Sequence, residues 1–444
     1  AAMIIPAIMS GKTVAVLGLG RSGLSAVRAL AMAGARVYAH DDHTAPQLPE
    51  GVQASSPEDW PWDELAVLVI SPGIPHAFPE PHPAAAMATA RGIPIISDIE
   101  LMMLARPEAR IVGITGTNGK STTTMLISHL LGACGITAIA GGNIGTPVLE
   151  LEDPGPDGVI VLELSSYQLE ITPSLALDAG AVINITPDHL DRHFGWGGYV
   201  AAKARLAEAI RKTGLLVLGR GAELDPLIGF CSGESQRIDQ GDAPLFINNP
   251  ALTGPHNIEN TAIAFRLGAY LGGDRQVMES ALPQFRGLPH RMEPVCTHDG
   301  IHFVNDSKAT NAEAAEKALR SFSSIYWIAG GEAKDGGISG ITHALSNVVR
   351  AYLIGASADD FAHDLGGSIP HRISGTVEQA LADAIADASA DHLPDATILL
   401  APAAASFDQF RNFEARGDAF RAAALNWAEE TMPRDTTNGE AMNV

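Results

Sequence analysis

The stretch Gly113-Ile114-Thr115-Gly116-Thr117-Asn118-Gly119-Lys120-Ser121-Thr122 predicts a glycine-rich loop between a β-strand and an α-helix. The apolar pair Ile111-Val112 precedes it, and the helical pattern Thr123–Leu131 follows it. Backbone N–H groups in such a loop converge on one position, where the dipole of the following helix also favours negative charge. We therefore predict that the loop binds phosphate groups and that Lys120 neutralises part of their charge.

The loop departs from the standard P-loop pattern at one position. The residue five before Gly119 is Ile114, and glycines stand at positions 113 and 116 instead. A hydroxyl group directly after the lysine, from Ser121 or Thr122, is suited to ligating Mg²⁺. The competing interpretation is a tight turn with a solvated lysine.

Composition sets broad limits on the function. The chain has 444 residues, 46% of them apolar, and a formal net charge of −22. That length predicts two or three domains, and that charge argues against nucleic acid or an anionic membrane as the main partner. No stretch reaches the roughly 18 uninterrupted apolar residues of a membrane span. Three widely spaced cysteines suit a reducing compartment, so we expect a cytoplasmic protein.

The N-terminal region has the pattern of a dinucleotide-binding unit. Thr13–Leu17 is a predicted strand, and Gly18-Leu19-Gly20-Arg21-Ser22-Gly23 follows it before the predicted helix Leu24–Ala33. The next predicted strand, Arg36–Ala39, ends at Asp41-Asp42. Taken alone this fingerprint predicts NAD, although the glycines require only a diphosphate.

Polar residues follow two predicted strands of the central region. Glu163 ends the strand Val159–Leu162, and the run Thr186–His193 follows the strand Ala181–Ile185. An acid at a strand end beside a phosphate-binding loop is where a Mg²⁺ ligand belongs in an open α/β sheet. Lys203 lies in the predicted helix Tyr199–Arg211, where the pattern alone favours a surface lysine.

Further polar groups occur towards the C-terminus. His256, Asn257 and Asn260 lie one turn apart near the start of the predicted helix Thr261–Leu271. Gly287–Glu293 is a predicted hinge, and the strand Ile301–Val304 leads to Asn305–Asn311, where Thr310 and Glu313 are predicted to form a capping box. Strands that alternate with helices predict an α/β fold with parallel sheets and a working edge at the loops after the strands.

Seven motifs, in this order, give the chain a resemblance to the Mur ligase family over nearly its whole length. They are Gly116–Thr122, Gly141–Gly145, Glu163–Leu169, Asp188–Arg192, His256-Asn257, His290-Arg291 and Asn305–Asn311.

The resemblance implies three domains. These are a Rossmann-like domain over 1–98 for a UDP-sugar, a P-loop ATPase α/β domain over 99–288, and a Rossmann-like domain over 289–444 for an amino acid. The branch of the family that the chain resembles joins D-glutamate to UDP-N-acetylmuramoyl-L-alanine (UDP-MurNAc-L-Ala) in peptidoglycan precursor synthesis. That reaction cleaves ATP to ADP and phosphate through an acyl phosphate and a tetrahedral intermediate. The resemblance also implies a monomer with small-molecule substrates.

The resemblance further implies residue roles in the ATP site and in two Mg²⁺ sites. Ser121 and Glu163 would serve one Mg²⁺, and His189 would serve a second Mg²⁺ with Lys203 as a carbamate. The catalytic set would be Lys120, His189, Lys203 and Lys308, with His189 a candidate base for the amine of D-glutamate. The implied ATP contacts are Gly116, Thr117, Asn118, Gly119, Lys120, Ser121, Thr122, Asn257, Asn260, Arg291 and Asp306.

The implied substrate contacts lie in the two outer domains. Those for the UDP-sugar are Gly18, Arg21, Ser22, Asp41, Ser71, Gly73 and Asn143, and those for D-glutamate are Thr310, Lys334, Ser406 and Phe413. Asp42-His43 stands where the family pattern leads us to expect an arginine near the uracil. Glu332–Gly337 keeps its lysine but has altered neighbours.

Four other functions remain open from the sequence. An NAD-dependent dehydrogenase would explain Gly18–Gly23 but would leave the phosphate loop unused. A folylpolyglutamate synthase would explain the phosphate loop but not the N-terminal region. A nucleotide switch would bind ATP without forming an amide bond, and another Mur-type ligase would use a different amino acid.

Overall fold

The structure is a computed structural model that describes residues 3–239, 241–245, 247, 249–252, 255–333 and 336–431. The chain forms two compact units, 1–285 and 286–444. The first unit contains two β-sheets and the second contains one. Within the described ranges, no helix has both the length and the apolarity that crossing a bilayer requires.

The N-terminal sheet has five parallel strands in the order β3-β2-β1-β4-β5. Its strands are β1 Thr13–Leu17, β2 Arg36–His40, β3 Gln53–Ala54, β4 Leu65–Ile70 and β5 Ile95–Ile96, and its helices are α1 Arg21–Met32, α2 Pro83–Ala90 and α3 Asp98–Ala105. All five side chains of β1 are buried, as expected for a central strand covered on both faces. Strands β1 and β4 have the bounds that the sequence predicted.

The second sheet of this unit has six parallel strands in the order β11-β10-β9-β6-β8-β7. Its strands are β6 Arg110–Thr115, β7 Ala138–Gly142, β8 Val159–Glu163, β9 Leu177–Val182, β10 Ile210–Leu218 and β11 Glu234–Arg237. Its helices are α4 Lys120–Ala133, α5 Ser166–Glu170, α6 Trp196–Glu208, α7 Pro255–Tyr270 and α8 Arg275–Ala281. Leu126, Ile127, Leu130 and Leu131 of α4 pack on the sheet in a fully buried cluster.

The unit 286–444 contains a six-stranded sheet in the order β12-β13-β17-β14-β15-β16. Its strands are β12 Glu293–His298, β13 Ile301–Asn305, β14 Ser324–Gly330, β15 Val348–Ile354, β16 His371–Gly375 and β17 Ala396–Leu400. Its helices are α9 Ala312–Leu319, α10 Ala358–Leu365, α11 Val377–Asp391 and α12 Phe413–Thr431. Only the edge strand β12 is antiparallel to its neighbour, so the α/β class with parallel sheets is confirmed.

Short 3₁₀ helices connect these elements. They are Ala7–Met9, Pro57–Asp59, Trp62–Glu64, Val148–Glu150, Ala222–Phe230, Pro250–Leu252, Leu282–Gln284 and Ser339–Asn347.

Three local predictions were wrong. The capping box at Thr310 and Glu313 does not form, because Asn311 is the residue that caps α9, its side chain accepting from the N–H of Ala314. The strand predicted over Ala181–Ile185 ends at Val182, and the predicted helix Tyr199–Arg211 begins at Trp196 and ends at Glu208. In both cases the apolar pattern continues past the point where the backbone leaves its element, so pattern alone misplaces the boundary.

Candidate active site

Three adjacent strands of the second sheet bring their C-terminal ends together. β6 lies between β8 and β9, with Ile114 beside Glu163 and Thr115 beside Val182. The loop that follows each of these strands therefore begins at the same edge of the sheet. Because the strands are parallel, the glycine-rich loop, Glu163 and the segment after Val182 share one site.

The glycine-rich loop runs from Gly116 to the first turn of α4. Gly119 has φ +85° and precedes Lys120, the first helical residue, without any side-chain cap on the helix. A Cβ atom at position 119 would lie 2.4 Å from Oδ1 of the buried Asn260. Both the backbone angle and the space therefore require glycine, and the dipole of α4 favours an anion at this helix start.

Asn184, two residues after β9, orders the loop. Its side-chain oxygen accepts from the N–H groups of Thr117 at 3.1 Å and Asn118 at 2.9 Å, and its amide donates to the carbonyl of Asn118 at 3.2 Å. Its own backbone carbonyl also accepts from the N–H of Thr117 at 2.9 Å. These bonds fix the conformation of the loop.

Two lysine side chains contact the carbonyl oxygen of Gly116. Lys120 Nζ donates to it at 3.0 Å and to the carbonyl of Thr117 at 2.8 Å. Lys203 Nζ donates to the Gly116 oxygen at 2.8 Å and to Thr115 Oγ1 at 3.4 Å. The loop therefore concentrates positive charge at the end of β6.

Lys203 is buried, against the pattern-based expectation of a surface lysine. Its exposure is 1%, and its Nζ lies 4.7 Å from the centroid of the Tyr199 ring. Burial, and then the charge of Lys120, lower the pKa of Lys203 from 10.5 to about 7, although Asp188 and Glu163 act in the opposite direction. A sizeable share of this amine is therefore neutral near pH 7.

Glu163 is buried and only half satisfied. Its Oε1 accepts from the side-chain amide of Asn143 at 2.9 Å, whereas Oε2 has no hydrogen-bond partner among the described residues. A buried carboxylate oxygen without a partner is costly unless a cation or donor ligand completes its environment. The described residues contain no group of three or more His, Cys, Asp or Glu side chains able to hold a metal.

His189 lies in the segment that follows β9. Its side chain is half exposed, with Nε2 3.5 Å from Asp188 Oδ2 and the ring 5.3 Å from that of Tyr167. Its φ is +50°, an angle that non-glycine residues adopt only when the surroundings impose it. The side chain of His189 is thus partly exposed on the segment that follows β9.

A cavity of about 300 Å³ adjoins this edge. Five of the seven residues predicted to contact a UDP-sugar line it, namely Arg21, Ser22, Ser71, Gly73 and Asn143. Asn143 also binds Glu163, so the cavity reaches the carboxylate predicted to bind a metal. The remaining lining residues are Gly20, Pro72, Gly142, Ile144, Gly145, Pro147 and Gln168.

The other two residues predicted to contact the UDP-sugar, Gly18 and Asp41, are outside that lining and support the adjacent loops. The carbonyl of Gly18 accepts from Ser71 Oγ at 3.0 Å. Asp41 accepts from the N–H groups of Leu19, His43 and Thr44 at 2.6 to 2.9 Å. Burial raises the pKa of Asp41, but these hydrogen bonds outweigh it and leave the pKa below its usual value.

Asp42, the first residue of the pair Asp42-His43 that departs from the family pattern, contacts two histidines. Its two carboxylate oxygens lie 3.1 Å from His40 Nε2 and 3.0 Å from His82 Nε2. This chain therefore places an acid with two imidazoles where a basic side chain was expected.

In the unit 286–444, three loops meet at the end of the neighbouring strands β13, β17 and β14. Ser307, after β13, donates through Oγ to the carbonyl of Phe413 at 2.8 Å. Lys308 Nζ lies 5.8 Å from the centroid of the Phe413 ring. Ser406, after β17, is 2% exposed, whereas Thr310 is half-buried. Lys334 lies outside the described residues.

Asp306 is a buried acid at the same strand end. Its Oδ1 accepts from the N–H of Met292 at 3.0 Å. Burial raises the pKa of Asp306 from 3.8 to about 6, against the opposing effects of that hydrogen bond, Arg291 and Lys308. Arg291 is exposed, and its backbone pairs with that of Leu288 in an isolated antiparallel bridge.

Arg416 holds these loops together, and no sequence motif singled it out. The guanidinium is 1% exposed and donates to Ser307 Oγ and to the carbonyls of Ser307, Ala404 and Ala405 at 3.0 to 3.1 Å. Burial lowers the pKa of Arg416 to about 10. A buried cation whose hydrogen-bond partners are neutral oxygens gives this loop cluster a positive potential.

Two residues of the site in the unit 1–285 also escaped sequence reasoning. Asn184 and Tyr199 bind the glycine-rich loop, Tyr199 through a 3.0 Å contact of its hydroxyl with Thr117 Oγ1. The predicted strand Ala181–Ile185 enclosed Asn184, and only the earlier end of β9 at Val182 shows that Asn184 follows the strand.

Two predicted ATP contacts lie together near the start of α7. Asn257 accepts from Asn260 at 3.1 Å, while the third polar residue of that helix start, His256, is exposed.

Three family models match the chain. They are described as the Mur ligase MurD-like N-terminal domain over residues 12–97, the Mur ligase middle domain over 114–228, and the Mur ligase, glutamate ligase domain, over 290–404. The matched ranges fall inside the three predicted domains, and each includes strands of a different sheet.

Named relatives match over nearly the whole chain. A protein of Rhodospirillum rubrum named UDP-N-acetylmuramoylalanine–D-glutamate ligase is 41% identical over 93% of this chain and 94% of its own length. A protein of Novosphingobium aromaticivorans with the same name is 44% identical over 94% of this chain and 96% of its own length.

Solved structures share the fold. The crystal structure of the UDP-N-acetylmuramate-alanine ligase MurC from Thermotoga maritima has a TM-score of 0.58 at 16% identity and covers 94% of this chain and 99% of its own. The structure of a UDP-N-acetylmuramoyl-L-alanyl-D-glutamate–2,6-diaminopimelate ligase has a TM-score of 0.52 at 17% identity, covering 96% and 94%.

Proposed function

This chain belongs to the Mur ligase family, and on that premise we propose that it joins D-glutamate to UDP-MurNAc-L-Ala with cleavage of ATP to ADP and phosphate. The reaction forms an amide bond and serves the synthesis of peptidoglycan precursors. The observation that supports the proposal best is the similarity to relatives of one name, which extends over 93% and 94% of the chain.

The glycine-rich loop is the ATP site of this proposal. The start of α4 and the ammonium of Lys120 lie at the end of β6, where the β- and γ-phosphates would lie. Asn260, which lies beside Gly119, and its hydrogen-bond partner Asn257 are the proposed side-chain contacts to the nucleotide. The roles of Arg291 and Asp306 as ATP contacts stay predictions, as does the role of Lys308.

One Mg²⁺ fits the residues present. The unpartnered Oε2 of Glu163 and the hydroxyl of Ser121 are oxygen ligands, and Mg²⁺ usually completes its shell with phosphate oxygens and water. When bound, Mg²⁺ neutralises phosphate charge and stabilises the charge that develops on the transferred phosphoryl group. A second Mg²⁺ would use His189 and a carbamate on Lys203.

The surroundings of Lys203 favour that carbamate. Carbon dioxide reacts with a neutral amine to form a carbamate and release one proton, and the lowered pKa keeps much of this amine neutral. The carbamate would replace a buried cation by an anion beside Lys120 and remove their repulsion. Intact-protein mass spectrometry from bicarbonate buffer tests this assignment, and an unmodified amine with activity indifferent to bicarbonate would contradict it.

The chemistry requires that one carboxylate approach the γ-phosphate although both are anionic. Lys120 and the helix start reduce that repulsion and stabilise the transferring group. Transfer gives an acyl phosphate, and the amine of D-glutamate attacks its carbonyl carbon to form a tetrahedral intermediate that expels phosphate. The amine must first lose a proton, and His189 is the candidate base, although metal binding would compete with that role.

The cavity lined by Ser71, Gly73 and Asn143 is the proposed site for the UDP-sugar. Arg21 and the start of α1 supply positive charge and N–H groups for its diphosphate. In the other unit, Thr310, Ser406 and Phe413 lie around the loop cluster that Arg416 holds, and we assign this cluster, with Lys334, to D-glutamate.

The experiment that tests the function is phosphate release from ATP with UDP-MurNAc-L-Ala, assayed with D-Glu, L-Glu, L-Ala and diaminopimelate in turn. We expect release and an amide product with D-Glu only. Release with a different amino acid would favour another Mur-type ligase, and nucleotide binding without release would favour a switch. Since ATP is a substrate we place the reaction in the cytoplasm, and light scattering will test the expected monomer.

A further inference from the structure

His193 is a buried histidine whose two ring nitrogens are both occupied. Its side chain has no exposed surface, Nδ1 lies 2.9 Å from Glu170 Oε1, and Nε2 lies 2.8 Å from Ser166 Oγ. Because an ionised carboxylate can only accept, Nδ1 bears the hydrogen. The ring is thus held in one orientation by two residues of the short helix α5.

The ring of His193 supports the ring of Tyr167. The two rings are stacked with centroids 5.1 Å apart and an angle of 10°. The Tyr167 ring also contacts His189 at 5.3 Å and the guanidinium of Arg192 at 4.6 Å. Two side chains of the segment 188–194 therefore rest on one tyrosine that His193 holds.

The backbone of this segment needs such support. His189 and Phe194 have φ values of +50° and +56°, in the left-handed region that non-glycine residues avoid. A Cβ atom on Gly198 would lie 1.7 Å from the carbonyl oxygen of His193, so the start of α6 packs directly on the segment. Helix α6 also contains Lys203 and Tyr199. The His193 ring and its partners Ser166 and Glu170, here called the anchor, therefore lie between two parts of the candidate site.

The same anchor reaches the substrate cavity. Arg192 donates from Nη1 to the carbonyl of Gly73 at 3.2 Å, and Gly73 lines the cavity. The second oxygen of Glu170 lies 3.5 Å from Nε2 of His76, in the same loop as Gly73. One carboxylate therefore joins the anchor of the segment 188–194 to the cavity loop.

We propose that His193 is a positioning residue for the ligase reaction, which fixes the segment 188–194 so that His189 and Arg192 stay in place beside the substrate cavity. The expected effect of His193 on kcat rests on the proposed function. Its structural content, that one buried side chain orders the segment, can be tested without turnover.

The variant His193→Phe keeps an aromatic ring against Tyr167 and loses both hydrogen bonds. We expect kcat to fall about 10- to 100-fold, because small displacements of positioned groups slow a reaction strongly. Affinity for ADP should remain that of the wild type, since Asn184 orders the glycine-rich loop. His193→Asn, which can still donate towards Glu170, should recover part of kcat.

The matched control is His129→Phe. His129 lies on α4 with Nε2 2.9 Å from the carbonyl of Ala281 and its ring 5.5 Å from that of Phe285. This change also removes a histidine hydrogen bond beside an aromatic ring, and we expect kcat of the wild type. A value of kcat for His193→Phe within about twofold of the control would overturn the proposal.

Amide hydrogen exchange supplies the readout that does not depend on activity. In His193→Phe we expect exchange over residues 188–194 to be about tenfold faster, with exchange over α4 unchanged. Unchanged exchange in the segment would overturn the proposal, whereas absent turnover in the wild type would refute the proposed function alone. If His193→Phe does not fold, Glu170→Gln and Ser166→Ala take its place, and wild-type exchange and kcat in both would overturn it.

Discussion

Lys120 and Lys203, separated in sequence by one α-helix and three strands, donate to the same carbonyl oxygen, that of Gly116, at 3.0 Å and 2.8 Å. Two ammonium groups on one acceptor repel each other, and the charge of Lys120 lowers the pKa of Lys203 in addition to the effect of burial. Anionic ligands or a carbamate would relieve this repulsion. The loop is therefore built to receive negative charge.

Lys120→Ala should abolish ATP turnover. The change removes the ammonium that neutralises the transferred phosphoryl group, and we expect kcat to fall by about 10²- to 10³-fold. Phosphate release under saturating substrates measures the effect. Lys212→Ala, which removes an exposed lysine of β10, is the control and should keep wild-type turnover. Similar rates for the two variants would contradict the assignment of the ATP site.

Lys203→Met should change how stability depends on pH. In the folded chain the pKa of Lys203 is about 7, against 10.5 for an ordinary lysine. Between these values the unfolded chain binds more protons, so the contribution of Lys203 to the free energy of unfolding rises with pH, by at most about 1.4 kcal/mol per unit. Chemical unfolding of the wild type and the variant, in carbon-dioxide-free buffer between these two pH values, measures the difference in their free energies of unfolding. That difference should favour the wild type increasingly as pH rises. A pH-independent difference would show that the pKa is not lowered.

Gly119→Ala should destabilise the chain and weaken nucleotide binding. The new methyl group would stand 2.4 Å from Asn260 Oδ1 on a backbone with φ +85°, and we expect a loss of about 2 kcal/mol or more in the free energy of unfolding.

Gly132→Ala, in the same helix, is the control for that change. No atom lies within 4 Å of the added methyl group, so the substitution should be neutral or should stabilise by up to about 1 kcal/mol. Thermal unfolding and ADP titration compare the two variants. Equal effects would mean that the loop tolerates a side chain at Gly119.

Asp306→Asn should stabilise the chain above neutral pH while lowering activity. The folded pKa of Asp306 is about 6 against 3.8, so between these values the folded chain binds more protons. The contribution of this carboxyl to the free energy of unfolding therefore falls as pH rises, by about 3 kcal/mol in total, and the asparagine avoids that loss. Urea unfolding at about pH 4 and about pH 7 measures it. A variant no more stable than the wild type at the higher pH would contradict the raised pKa.

Several features of this protein were determined by the sequence itself. Strands such as Leu65–Ile70 are continuous apolar runs, and the loops after them contain the glycines and polar residues of the site, so strand ends and motif order predicted the α/β class and the phosphate loop. The family of the chain follows from the same local motifs, now confirmed by relatives over most of its length.

Tertiary structure decided the rest, because burial and long-range contacts have no local signal. Lys203 has the pattern of a surface lysine, yet the fold brings its Nζ to the carbonyl oxygen of Gly116. Burial at that position lowers its pKa. Arg416 and His193 stand in ordinary helical and loop sequence, and only the packing of distant loops surrounds them with partners. Asn311 rather than Thr310 caps α9, since the choice depends on where the backbone turns into the helix. Motifs name the groups predicted to bind phosphate, whereas their charge and orientation depend on neighbours that the fold brings from far along the chain.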